Sequence, residues 1–84
     1  MKYRIEINKK ARKFIASQQP KQQKRIIEAI YKLPDGEDIK RLVGYNNVYR
    51  LRIGNYRVVY EIHDDILLII VVNAGNRGDI YKQL

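Results

Sequence analysis

The sequence contains no cysteine and no tryptophan, and only one histidine and one serine among its 84 residues. Without cysteine the chain has neither disulfide bonds nor a thiolate metal site, which is typical of a cytoplasmic protein. The single histidine, His63, leaves no histidine pair to bind a metal, and the Asp64-Asp65 that follow it are typical of a turn. Ser17 has no histidine base in view, which argues against a serine hydrolase.

Long apolar runs and glycine-rich motifs are lacking as well. The longest apolar run, residues 66–72, has seven residues and is too short to cross a bilayer. Charges at Lys2, Arg4 and Glu6 leave no room for the apolar core of a signal peptide. The glycines are isolated, so neither a phosphate-binding loop nor a dinucleotide fingerprint is present. These absences predict one soluble domain over residues 1–84, with no cofactor, no metal and no membrane partner.

Positive charge is abundant. Seventeen lysines and arginines against nine acids give a net charge of +8 and an isoelectric point near 9.9. Such a chain is attracted to polyanions such as nucleic acid, anionic lipid or an acidic protein. The alternative is that the charge only keeps the surface soluble.

Residues 48–62 are the most informative stretch of the chain. Two alternating runs flank Gly54-Asn55, which is the signature of a tight β-hairpin with positive φ at the glycine. Side chains two apart share a face, so one face is apolar and comprises Tyr49, Leu51, Ile53, Tyr56, Val58, Tyr60 and Ile62. Arg50, Arg52 and Arg57 point out of the other face, with Arg52 opposite Arg57. Because opposed like charges destabilise a strand pair, this arginine face indicates anion binding.

The remaining segments predict the fold. Residues 3–7 alternate as a short strand, and Asn8 is a suitable N-cap for a helix over residues 9–18. Pro20 opens a second helix that runs to about Leu33 and buries a stripe of isoleucines. Residues 34–47 are predicted to be a polar loop. Residues 66–72 lack alternation and predict a central strand covered on both faces, and the tail that follows predicts a loop.

The order β-α-α-β-β-β predicts an α+β domain. Its parts are an N-terminal strand, a helical hairpin and a three-strand antiparallel meander, with the helices packed on the apolar face of the sheet. This arrangement leaves the arginine face open to solvent.

A second group of cations is predicted to bind RNA or the ribosome. It comprises Lys9, Lys10, Lys13, Lys21, Lys24, Arg25, Lys40 and Arg41. As a block these side chains would meet a phosphate backbone or an acidic partner, whereas any single lysine among them is better explained as part of a solvated face.

The arginine face suits phosphate chemistry. Guanidinium is planar, permanently charged and forks onto phosphate oxygens, so three such groups can neutralise a phosphodiester and its pentacovalent transition state. Tyr49, Tyr56 and Tyr60 belong to the core by parity. Tyr81, in the tail, is free to approach the arginines.

These residues resemble the RelE/ParE toxins. The motif is Tyr49-Arg50-Leu51-Arg52-x-Gly54-x-Tyr56-Arg57-Val58-x-Tyr60-Glu61, an apolar strand, and Gly75-x-Arg77-x-x-x-Tyr81. The resemblance covers essentially the whole chain, including the order of its elements. It implies a toxin of a type II toxin–antitoxin system, silenced by an antitoxin whose acidic or amphipathic segment wraps around it.

The RelE branch implies a ribosome-dependent mRNA interferase. Members enter the A site of the small ribosomal subunit and cut mRNA without a metal, by attack of the ribose 2′-OH on the adjacent phosphate. The family's working residues fall on Arg50, Arg52, Arg57, Arg77 and Tyr81 of this sequence. By this resemblance Arg57 holds the scissile phosphate, Arg50 and Arg52 orient neighbouring groups, Arg77 assists the leaving 5′-oxygen, and Tyr81 stacks on or protonates the substrate.

The general base is left open, as are two other functions. Family members often carry lysine where this chain has Arg50 or Arg52, and arginine cannot serve as a base. Tyr81, Glu61, or positioning without a base on the protein are the alternatives. The rival functions are a ParE-like inhibitor of DNA gyrase without nuclease activity, and a non-catalytic RNA-binding module.

Overall fold

A computed structural model describes residues 3–36 and 38–76 of the chain. In these residues the elements are β1 (Arg4–Ile7), α1 (Lys9–Ala16), α2 (Pro20–Ile30), β2 (Ile39–Arg41), β3 (Val48–Ile53), β4 (Tyr56–His63), a 3₁₀ turn (Asp64–Ile66) and β5 (Leu68–Gly75). The strands form one sheet in the order β1-β5-β4-β3-β2. Only the β1–β5 pairing within it is parallel. The predicted α+β fold is therefore confirmed.

Local signals fix the helix starts. The Asn8 side chain accepts a hydrogen bond from the Ala11 N–H at 2.9 Å and donates one to the Val72 carbonyl, so the cap also ties α1 to β5. Pro20 occupies the first turn of α2, as predicted. The α-helix ends at Ile30 rather than near Leu33. The N–H of Leu33 bonds to the Ile30 carbonyl three residues back, the tighter pattern common in a final turn.

The predicted loop over residues 34–47 contains a strand that the sequence analysis missed. Ile39, Lys40 and Arg41 pair antiparallel with Leu51, Arg50 and Tyr49 of β3. Three residues with a single apolar side chain are too few to show a strand period. Two cations on this edge strand also discourage pairing with another chain.

The main core lies between the helices and one face of the sheet. Ala11 and Ile15 of α1 and Ile26 and Ile30 of α2 are buried against the apolar hairpin face. All seven residues predicted for that face belong to this cluster or pack against it. The predicted apolar face is thus confirmed.

β5 is an interior strand, but its two faces are covered unequally. Ile69 and Val71 are fully buried under the helices, whereas Leu68 and Ile70 on the opposite face are half-buried. The strand also begins two residues later than predicted, since Ile66 belongs to the 3₁₀ turn and is 64% exposed.

The face opposite the helices carries its own small apolar cluster. Val48 and Val59 are buried there, with Leu42 and Val72 packed against them. This face is therefore only partly open to solvent. None of the helices in residues 3–36 and 38–76 is long and apolar enough to span a membrane.

Candidate functional site

The hairpin that presents the arginines has the predicted register. Ile53 pairs with Tyr56, Arg52 with Arg57, and Leu51 with Val58 across the turn. Gly54 has a φ of +57° while Asn55 keeps a negative φ, the pattern of a type II′ turn with glycine first. A left-handed φ at this position strains a residue that carries a Cβ. The glycine therefore fixes the register that opposes the two arginines.

Arg52 and Arg57 form the accessible part of the arginine face. The side chain of Arg52 is 48% exposed, and Arg57 is half-buried. On its other side, Arg57 pairs with Gly75 of β5, which has no side chain to compete for the space. The two arginines thus occupy directly opposed positions on adjacent strands, an arrangement that suits a bridging phosphate.

Arg50 differs from the prediction that all three arginines face open solvent. Only 9% of this residue is exposed. Its cross-strand neighbour is the fully buried Val59, which belongs to the small apolar cluster on this face. Strand parity correctly places Arg50 on the arginine face, but it does not reveal how deeply that part of the face is covered.

Asp38 is a site residue that the sequence analysis did not single out. Its carboxylate lies 3.3 Å from Nη1 of Arg50 and 3.9 Å from Nε of Arg52. Its backbone carbonyl accepts a hydrogen bond from the Arg52 N–H at 2.9 Å. The contact follows from the pairing of β2 with β3, which brings Asp38 beside the arginines although they lie 12 and 14 positions later in the chain. No local sequence signal marks it.

Glu61, named as a candidate base, is engaged elsewhere. Its Oε1 lies 2.9 Å from Nε2 of His63, the next residue on the same side of β4. It pairs across the sheet with Val48, four residues along β3 from Arg52. Within the described part of the chain no group of three histidines or acids is placed to hold a metal ion.

The core tyrosines stay out of the site. Tyr49 stacks on Tyr60 with ring centroids 5.8 Å apart, and Tyr56 packs edge-on against Phe14 at 6.0 Å. Burial, with a smaller contribution from Tyr49, raises the pKa of Tyr60 to about 12. These rings serve packing, as their parity predicted.

A basic groove joins α2 to the hairpin. It has a volume of about 920 Å³, and its apolar lining includes Leu51 and Ile53. Five cations line it against the two carboxylates of Glu28 and Asp38. The cations are Lys21, Lys24, Arg25, Lys32 and Arg52.

Arg25 connects the two walls of this groove. Its guanidinium lies so close to the hairpin turn that a Cβ at Gly54 would sit 2.8 Å from Nη2. The α2 cations and Arg52 therefore line one groove, in which five cations outnumber the two carboxylates.

The other predicted binding residues are spread more widely. Lys9, Lys10 and Lys13 are exposed on α1. Lys40 and Arg41 lie on the edge strand β2, where Lys40 pairs with Arg50 and the Nε of Arg41 donates to the Tyr45 carbonyl at 3.3 Å. Arg77 and Tyr81, predicted as catalytic, lie outside the described residues.

Comparison with known proteins identifies the relatives of this chain. The sequence model of a family described as the ParE toxin of type II toxin–antitoxin systems (parDE) matches residues 5–81. The putative toxin RelE1 of Methanocaldococcus jannaschii is 36% identical over 88 residues, with 98% of each sequence covered.

Two solved structures have the same fold. The matched chain of the archaeal RelE–RelB complex from Pyrococcus horikoshii OT3 gives a TM-score of 0.77 at 29% identity, over 93% of this chain and 98% of that one. The isolated RelE toxin of Escherichia coli gives 0.74 at 18% identity, over 96% and 93%.

Proposed function

The chain belongs to the RelE/ParE family of type II toxin–antitoxin toxins, and from this premise we propose that it cleaves mRNA in the ribosomal A site and so inhibits translation. The observation that carries the proposal is the pairing of Arg52 with Arg57 across the hairpin. Two opposed cations weaken a strand pair, and a phosphodiester bound between them would reverse that repulsion.

The proposed reaction is a metal-independent transesterification. The ribose 2′-oxygen forms a bond to the adjacent phosphorus, and the bond from phosphorus to the 5′-oxygen breaks. The 2′-hydroxyl loses a proton and the 5′-oxygen gains one, so the products are a cyclic phosphate and a 5′-hydroxyl. The negative charge that develops on the phosphorane oxygens is the charge that arginines stabilise.

The arginines divide this work by their positions. Arg57 holds the scissile phosphate, and Arg52 orients the neighbouring phosphate and the nucleophile. Arg50, which is only 9% exposed, shares this orienting role from a more deeply buried position on the same face. Arg77 and Tyr81 complete the proposed set at the leaving oxygen and the base, as the family resemblance implies.

Positioning and charge neutralisation supply most of the proposed rate enhancement. The carboxylates of Asp38 and Glu61 are both engaged by cationic or imidazole partners. A bound substrate held in an in-line geometry gains rate without a strong base on the protein.

The basic surface is proposed to hold RNA and the ribosome. Its members are Lys9, Lys10, Lys13, Lys21, Lys24, Arg25, Lys40 and Arg41. The groove beside α2 supports this assignment, because it concentrates positive charge next to Arg52.

An antitoxin is the proposed protein partner. The relative from Pyrococcus horikoshii was solved as a RelE–RelB complex. A net charge of +8 on this chain favours an antitoxin with an acidic or amphipathic segment that covers the basic surface.

The proposal is tested by mixing the purified protein with mRNA-programmed ribosomes and mapping new mRNA ends. Arg57→Ala is expected to lower the cleavage rate about 10²–10³-fold, because it removes a donor to the transition-state charge. Arg4→Ala is the matched control, since Arg4 is exposed on the same sheet face but at the opposite edge, where it pairs with Glu6. Equal cleavage by the two variants would contradict the assignment of Arg57.

The family match also names ParE toxins, which makes gyrase inhibition the second candidate. Loss of gyrase supercoiling with intact mRNA would favour a ParE-like inhibitor. Salt-dependent RNA binding without new ends would instead indicate a non-catalytic RNA-binding module.

A further inference from the structure

An internal carboxylate occupies the space between two of the arginines. The oxygens of Asp38 face Nη1 of Arg50 and Nε of Arg52 at 3.3 and 3.9 Å. Carboxylate and phosphate are the two anions that a guanidinium fork recognises in the same geometry. We propose that this position is a phosphate-binding site that Asp38 fills in the free protein and leaves when an RNA phosphodiester binds.

The burial of Arg50 requires an anion at this position at all times. Arg50 is 9% exposed, and a buried cation without a partner is strongly destabilising. Asp38 is 48% exposed, so it links the buried guanidinium to solvent. An external phosphate that contacts Arg50 by this route must take the place of the carboxylate. The exchange keeps Arg50 paired with an anion and allows it to contact the RNA phosphate directly despite its burial.

The side chain of Asp38 is free to leave. Among residues 3–36 and 38–76, its carboxylate contacts only the two arginines. It lies in irregular backbone immediately before β2. The backbone bond from the Arg52 N–H to the Asp38 carbonyl holds the segment in place, so rotation of the side chain alone opens the site.

The basic groove provides the approach to this site. Asp38 and Arg52 line the groove together with Lys21, Lys24 and Arg25. A polyanion drawn into the groove by these cations therefore meets the Asp38–Arg52 contact directly.

If Asp38 and the arginines instead form a fixed structural ion pair, neutralising Asp38 should leave RNA binding unchanged or weaken it. If Asp38 competes with the phosphate, the same change should tighten RNA binding. The test compares Asp38→Asn with Asp35→Asn, which changes the net charge equally three residues earlier but involves a side chain with no arginine contact within the described residues. The probe is a short single-stranded RNA with 2′-O-methyl riboses, which cannot be cleaved, and affinity is read by fluorescence anisotropy. This proposal rests on the proposed function in one respect, that RNA is the ligand. Because the assay measures binding to an RNA that cannot be cleaved, its result does not depend on whether the protein is a nuclease.

Asp38→Asn is expected to tighten RNA binding roughly tenfold, against less than about twofold for Asp35→Asn, because only Asp38 competes with the phosphate. The plot of log affinity against log salt should also steepen by about 0.7, since binding no longer releases a carboxylate that must regain a counterion. Unchanged or weaker binding by Asp38→Asn would overturn the proposal and leave Asp38 as an anchor for the arginines.

A second measurement uses the parent protein and so does not depend on the folding of a variant. Inorganic phosphate is titrated while the arginine Nε–H and aspartate carboxyl resonances are followed by NMR. The signals of Arg50, Arg52 and the Asp38 carboxyl should shift together with one saturation curve. A shift confined to Arg52 would show that Asp38 stays in place and would also overturn the proposal.

Discussion

The two faces of the central hairpin carry residues from the same strands, yet one face is an apolar core and the other is charged. Under the helices, Leu51, Val58 and Tyr60 are at most 3% exposed and belong to one continuous core. On the other face, Arg52 and Arg57 oppose each other beside a cluster of only two buried valines. The first face lowers the free energy of the fold, whereas the second retains an unfavourable charge pair that suits an anionic ligand.

Two neighbouring isoleucines of β5 lie on opposite faces of the sheet and differ in burial. Ile69 is fully buried under the helices, and Ile70 is half-buried on the opposite face. Ile69→Ala should lower the free energy of unfolding by about 4 kcal/mol, because it removes packed methyl groups and leaves a cavity. Ile70→Ala should cost only about 1 kcal/mol, since its surroundings are partly solvent. Urea denaturation measures both, and equal losses would break the distinction between the faces.

The helix-covered face also contains a polar atom without a partner. The hydroxyl of the fully buried Tyr60 has no hydrogen-bond partner among the described residues. Its pKa is raised from 10.0 to about 12, chiefly by burial. The folded state therefore favours the protonated form, and the associated stability is complete below pH 10 and is lost as the pH rises towards 12.

Denaturation at a series of alkaline pH values tests this effect. The parent should lose about 2 kcal/mol of stability between pH 10 and pH 12 in excess of the loss in Tyr60→Phe. At neutral pH the same variant should be about 1 kcal/mol more stable than the parent, because it removes an unpaired buried hydroxyl. Tyr31→Phe, at a 60% exposed position, is the control and should retain the full alkaline loss. Parallel pH curves for the parent and Tyr60→Phe would contradict the burial of this hydroxyl.

The features that the sequence predicted are those set by short-range patterns. The period of two and the turn at Gly54-Asn55 determine the hairpin register, and Asn8 caps α1 through a residue three positions away. Each needs only a few neighbouring residues, so each could be recognised before the structure was known.

The features that it missed depend on tertiary pairing. β2 is a strand because β3 offers an edge, while its own three residues carry almost no strand signal. That pairing in turn brings Asp38 to Arg50 and Arg52. The burial of Arg50 likewise depends on Val59 across the sheet. Alternation along β3 therefore predicts on which face Arg50 lies, but not how exposed it is to solvent.

A variant on the arginine face should show the smallest change in stability, but it tests directly whether this face serves function at the expense of stability. Arg57→Gln keeps a polar, although shorter, side chain while removing the charge opposite Arg52. Relief of the like-charge pair should raise the free energy of unfolding by about 0.5 kcal/mol, and added salt should shrink the gain because it screens the repulsion in the parent. The same variant should lose cleavage on programmed ribosomes. A variant that lost both stability and cleavage would show that Arg57 supports the sheet, and the two faces would then differ less than their charges indicate.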